Sequence, residues 1–380
     1  MKSKAFFKHH LTRIFMFCAC ACVFGCQMTT SGHGVYFDVW NGYSTEEPIH
    51  FGGTDYEINS AAQLAWLAEH VDETPGKTYN LTENINLAGN EWKPIGDNSD
   101  RFRGNFNGGG YTIKGLRLPN AQLSGFLGFI QGVSSTTPSK ITDLKIELLD
   151  CSYTGSVMFA VGGLVGSAES VIISKISVSG GKLNLSGSYQ NRVGGIVGVL
   201  DGYSKIEDCV STINITAHST GYLAYAGGIV GFIQNSSTIS VISCYTEGNI
   251  VSISTIDVAC SGGVVGFFNG AGSASCVRCF AMNGSISATG NSSSQVGRIG
   301  GSTVGTYTNN IANNGMALTG NSTPLTHLRH GIGVNPTFMR ASVYTDTGAI
   351  TANSSGNITS GGLGWDSAIW DFSGARPKLR

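Results

Sequence analysis

The chain has 380 residues, a formal net charge of −1, 12% charged and 41% apolar side chains. That balance argues against nucleic acid or polyanion binding, which needs a basic surface, and against disorder, which needs low hydrophobicity with high net charge. The 54 glycines are about twice the usual share; length alone allows two or three domains.

Lys2, Lys4, Lys8 and Arg13 form a positive leader, and an apolar run from Ile14 to Phe24 follows, short for a membrane span. It closes on Val23-Phe24-Gly25-Cys26, which resembles the bacterial lipobox. The resemblance implies that residues 1–25 are a signal peptide and that Cys26 is the lipid anchor, held by about 0.8 kcal/mol per buried methylene. Gln27, not Asp, follows the cysteine, so the expected destination is the outer membrane. Gln27 to Gly34 contains no acidic residue, which leaves cell-surface and periplasm-facing orientations open. Residues 26–50 read as a tether.

Residues 51–120 read as an N-terminal cap and first strands. Ser60 and Gln63 fit a capping box, and Leu64, Leu67, Ala68 and Val71 form one apolar stripe at helical spacing. Pro75-Gly76 stops that helix. The period then becomes two, with Tyr79, Leu81, Ile85 and Leu87, and continues through Phe102, Gly104, Phe106 and Gly108.

Residues 121–318 are dominated by a repeated phrase. It reads Gly162-Gly163-Leu164-Val165-Gly166, Gly194-Gly195-Ile196-Val197-Gly198, Gly227-Gly228-Ile229-Val230-Gly231 and Gly262-Gly263-Val264-Val265-Gly266. Starts at 162, 194, 227 and 262 are 32, 33 and 35 residues apart. Such a period marks one supersecondary unit stacked on itself. Each unit reads as three short strands in a three-sided coil, with aliphatics inward. The paired glycines are expected to supply turns with positive φ and close backbone approach. Cys209, Cys244 and Cys279 fall at equal steps of 35, which predicts a ladder of buried thiols on successive coils. Residues 319–380 lack the repeat and form an expected C-terminal cap, with Trp365 and Trp370 packing over the last coil.

These residues resemble the GLUG-motif proteins. The likeness includes Trp92-Lys93-Pro94-Ile95-Gly96, the Phe102 to Ile113 stretch, the Gly-Gly-aliphatic-Val-Gly copies and the ending Arg376-Pro377-Lys378-Leu379. It implies an all-β fold: a right-handed parallel β-helix (solenoid) with an N-terminal capping helix and a C-terminal cap. It also implies a bacterial cell-envelope protein of adhesin-like character. Some members accompany a zinc peptidase, but no H-E-x-x-H occurs in this sequence.

Candidate chemistry is sparse. Acids in the repeats are scattered, and the densest pair, Glu207-Asp208, would point to opposite faces of a strand. Asp97-Asn98-Ser99-Asp100 reads as a polar turn rather than a calcium loop. His327 and His330 read as a surface loop, and Cys276-Val277-Arg278-Cys279 lacks the context of a redox or zinc motif. No catalytic residue, metal or cofactor is expected. Aromatics are the better lead: Tyr189, Tyr203, Tyr222 and Tyr225, with Phe267 and Phe268, lie in or beside repeat turns. Exposed rings beside Asn and Ser suit glycan or protein contact; packing of the turns against the coil is the alternative. The expected function is a lipid-anchored binding module for a glycan or protein ligand. Its rivals are a polysaccharide-active β-helix enzyme and a structural component of an outer-membrane assembly.

Overall fold

The computed structural model describes residues 39–380, except 51, 235–237, 271–272, 322–327 and 340. Cys26, the signal peptide, most of the expected tether and His327 lie outside the described residues.

The stack is a parallel β-solenoid whose coils have four faces. In one coil these are Asn191–Gly194 (face 1), Val197–Asp201 (face 2), Ser204–Glu207 with Val210–Ser211 (face 3), and Asn214–Ser219 (face 4). Faces 1, 2 and 4 build sheets of six, five and six strands, parallel and in register from coil to coil. The three-sided coil read from the sequence missed face 1, because Ala224-Tyr225-Ala226-Gly227 shows no apolar alternation. Inside the coil lie Val193, Ile196, Val197, Leu200, Ile206, Cys209, Ile215 and their counterparts, all buried. Each such aliphatic contributes about 1.5–3 kcal/mol on burial.

Face 3 runs back past residue 120 without a break. Asp55–Ile58 pairs in parallel with Thr78–Leu81, which pairs with Asn105–Asn107, which joins Ser139–Leu148. Helix α1, Ala61–Glu69, covers the open end of this stack and buries Leu64, Leu67 and Ala68. Ser60 Oγ accepts from the Gln63 amide at 3.3 Å, and Gln63 Oε1 accepts from the Asn59 amide at 2.8 Å. The expected capping pair is thus present, with the return bond one residue earlier. The chain is already docked at Val39, which bridges Asn86. Trp40 packs edge-on against Trp92 at 5.7 Å, so residues 39–50 are not free tether.

The phrase glycines bend the chain between faces 1 and 2, but not through positive φ. None of Gly162, Gly163, Gly194, Gly195, Gly227, Gly228, Gly262 or Gly263 is in the left-handed region. What they supply is space. A Cβ on Gly194 would lie 1.9 Å from Val197 O, and one on Gly195 2.1 Å from Gly228 O of the next coil. Positive φ occurs instead in face 3, at Asp143, Lys175, Asp208, Ser243, Arg278 and Asn309, with values of 52–57°. This left-handed residue interrupts the in–out alternation, so that the residue after it, such as Cys209, Cys244 or Cys279, points inward. The thiol ladder forms as expected: each S–H donates to the carbonyl two residues back, at 3.2, 3.2 and 3.5 Å. Asn310 ends the ladder, accepting from the Cys279 amide at 2.8 Å and donating to Cys276 O at 2.8 Å.

The same interruption turns Val210, Tyr245, Phe280 and Ile311 outward, in register on successive coils. The C-terminal segment covers this ladder with Val343, Tyr344, Ile350, Leu363, Trp365 and Trp370. Trp365 and Trp370 stack at 4.3 Å, and their indoles donate to Arg278 O at 2.8 Å and Asp208 Oδ1 at 2.9 Å. The tryptophan pair therefore seals the flank of the stack rather than its last coil, because the flank is where an apolar ladder would otherwise face water. His330, expected in a surface loop, is fully buried beside Arg329 and Arg298. Arg329 Nη1 donates to Gly301 O at 2.6 Å.

Candidate functional site

Face 4 passes into face 1 through a short corner. The pairing of Phe159 with Asn191 and of Asn191 with Ala224 puts Val157, Tyr189 and Tyr222 at equivalent corner positions on three consecutive coils. They are 48%, 43% and 49% exposed; on the next corner the equivalent position is Asp257, next to Ile256, which is 55% exposed. The Tyr189 and Tyr222 rings meet at 4.5 Å between centroids and 47°. Ser219, the last residue of its face-4 strand, fixes both turns: its hydroxyl donates to Tyr189 O at 2.6 Å and accepts from the Tyr222 amide at 2.9 Å. Ser254 repeats the arrangement one coil on, bonding to Tyr222 O and the Asp257 amide.

The other two candidate tyrosines are not part of this pair. Tyr203 is exposed but stands at the corner between faces 2 and 3. Tyr225 is only 4% exposed, which corrects its reading as a surface ring. It lies on face 1 with its side chain away from the coil interior, but the bend at the phrase makes a re-entrant angle between faces 1 and 2. There Tyr225 meets Phe232 at 5.2 Å and stacks on Phe267 at 4.7 Å, over Val199, Ala160 and Cys260. Phe268 belongs to the interior core.

Sequence reasoning missed Arg192 in this angle. It is the face-1 counterpart of Tyr225, and its guanidinium lies 4.2 Å above the Phe232 ring. Its Nη2 bonds Gln190 Oε1, while Nε is buried without a partner. Burial lowers its pKa and pushes the Tyr225 hydroxyl up. The signal that could have found it is positional: the residue two before the phrase and the residue just after it are ladders of their own.

The acids singled out in the sequence, Glu207, Asp208 and Asp97, are each engaged separately. Glu207 pairs with Lys205 at 2.5 Å, and Asp208 accepts from Trp370. Asp97 Oδ1 accepts from the amides of Ser99 and Asp100 at 2.7 and 3.0 Å, closing its own turn. Among the described residues, no group of three or more His, Cys, Asp or Glu is placed to hold a metal.

Residues 189–216 match the GLUG motif, a segment that runs from Tyr189 through one coil into face 4. The chain is thus a parallel β-solenoid that carries the GLUG motif. A crystal structure of a Bacteroides ovatus protein named as an immunoglobulin A1 protease has the same fold. It matches with a TM-score of 0.58 at 16% identity, over 86% of this chain and 92% of that one. A protein of Evansella cellulosilytica, named as a Gly-rich membrane protein, is 39% identical over 67 residues. That match covers 16% of this chain and only 8% of the relative's length. Among the described residues, no helix is long and apolar enough to cross a membrane.

Proposed function

We propose that this chain is a lipid-anchored, non-catalytic module of the bacterial outer membrane that binds a glycan. The observation that carries the reading is the Tyr189–Tyr222 pair. Two rings on consecutive coils are half exposed, and both turns are fixed by Ser219. Rings so held lose little entropy on binding, and their apolar faces suit the C–H faces of sugars. Strand spacing of about 4.8 Å repeats the contact along the stack, with Val157 prolonging the apolar line on one side and Asp257 following Tyr222 on the other. Cys26 would carry the anchor.

Glycan and host-protein arrays probed with the wild type and a Tyr189→Ala/Tyr222→Ala variant test the reading. Glycan binding should weaken tenfold or more, about 1.4 kcal/mol, with an unchanged melting temperature. No glycan binding, binding to proteins alone, or an unaffected variant would overturn it. Cys26→Ala should move the protein from the membrane to the soluble fraction; retention in the membrane would refute the anchor.

A further inference from the structure

We propose that Arg192 is a receptor for a single carboxylate, so that the ligand of this face is a glycan bearing an isolated acidic sugar. The inference rests on the glycan-binding reading and adds the chemical class of the sugar. Tyr189, Gln190 and Arg192 follow one another along one corner and strand, which places one ring of the exposed pair three residues from the half-buried guanidinium. Leu223 and Val258, which partly cover the same cluster, lie on neighbouring coils.

The molecule contains its own comparison. Arg101 lies 4.3 Å above the Phe129 ring, which is the face-2 ladder position of Phe232 three coils away. That guanidinium is answered by Glu169 at 3.5 Å, itself held by Gln131 at 2.9 Å. Arg192 has the same aromatic seat and no carboxylate within ion-pair distance among the described residues. Its bonding partner is the neutral oxygen of Gln190. A cation over an aromatic face is favourable, but a half-buried guanidinium with an unsatisfied Nε is costly. An arriving carboxylate supplies the missing counter-charge through charge-assisted hydrogen bonds. Desolvation of the guanidinium, seen in its lowered pKa, agrees with a charge that lacks an answering acid. One cation in a chain of net charge −1 fits one carboxylate and not a polyanion, so the acidic unit stands alone among neutral sugars. The Tyr189–Tyr222 rings then receive the neutral part of the ligand.

Ligand-observed NMR titration of the full chain with methyl β-D-glucuronide, methyl β-D-glucoside and glutarate tests the assignment. The glucuronide should bind roughly tenfold or more tighter than the glucoside, the gain of a charge-assisted bond. Arg192→Gln and Arg192→Met should erase that preference, the second retaining the packing on Phe232. Arg192→Lys should keep part of it. Tyr222→Ala should weaken both sugars in the same proportion. Equal binding of the two sugars, or a preference that survives both uncharged variants, overturns the role of Arg192 and leaves the sugar-binding face standing. Glutarate binding as tightly as the glucuronide overturns the sugar. If neither sugar binds, the underlying reading falls as well.

Discussion

Replacing Gly195 by Ala separates two reasons for the repeated glycines, because they predict opposite signs. Gly195 is outside the left-handed region, so an added methyl carries no backbone strain. On conformational grounds alone it should stabilise the protein by about 0.4–1 kcal/mol, through a less flexible unfolded chain. The packing says otherwise. The Cβ would sit 2.1 Å from Gly228 O and 2.1 Å from Ser211 Oγ. Reaching even a 3.0 Å contact requires the next coil to retreat by 0.9 Å. The Gly195 N to Gly227 O bond, 3.1 Å, resists that retreat. Overpacking costs about 1–3 kcal/mol and the strained backbone bond adds about 1 kcal/mol, which less the conformational gain of about 0.4–1 kcal/mol leaves a net loss of about 1–4 kcal/mol. Urea unfolding followed by circular dichroism, with midpoint and slope fitted separately, measures it. Gly374→Ala is the control, since its nearest neighbour would be 3.6 Å away. A Gly195→Ala midpoint equal to or above the wild type would refute the steric account.

Two further outcomes follow from the buried groups. Burial raises the Asp208 carboxyl above the usual 3.8, with Glu207 adding to it, while the Trp370 indole and the charges of Lys175 and Lys205 pull it down. A raised acid favours the protonated folded form, so its stabilisation is complete below pH 3.8 and is lost as pH climbs through the raised value. Asp208→Asn keeps an acceptor for the indole and tolerates the left-handed corner; it should stabilise the protein at pH 7, with a gain that shrinks towards pH 3. A gain independent of pH would contradict this. The thiols of Cys151, Cys244 and Cys276 are buried and pushed up, so iodoacetamide should modify them only as urea unfolds the chain. Peptide mass spectrometry showing rapid labelling of Cys244 in the native protein would count against the ladder, and of Cys151 or Cys276 against their burial.

The parts of this protein that were legible in the sequence are those set by local period. Gly-Gly-aliphatic-Val-Gly at steps of 32 to 35 implied a stacked array, and Cys209, Cys244 and Cys279 implied one rung position. Ser60, Gln63 and the Leu64 to Val71 stripe implied the capping helix. Each signal depends on neighbours within one turn or one coil, so pattern alone suffices. The continuation of face 3 back to Asp55–Ile58 is not legible, because its parallel pairing with Thr78–Leu81 leaves no mark on either strand alone.

Tertiary structure decided how the coil bends, and with it which aromatics face solvent. The paired glycines suggest left-handed turns, yet the left-handed corner belongs to Asp208, Ser243 and their counterparts, where an interrupted alternation turns Val210, Tyr245 and Phe280 outward. Trp365 and Trp370 answer that ladder from more than 80 residues away, a distance over which no period carries information. The candidate site divides in the same way. Tyr189 and Tyr222 could be named from their turns, but Tyr225 is buried and Arg192 unanswered because faces 1 and 2 fold towards each other. That angle is set by glycine backbones touching the next coil. The sequence alone determined that coils stack; the contact between coils determined which side chains the stack offers to a ligand.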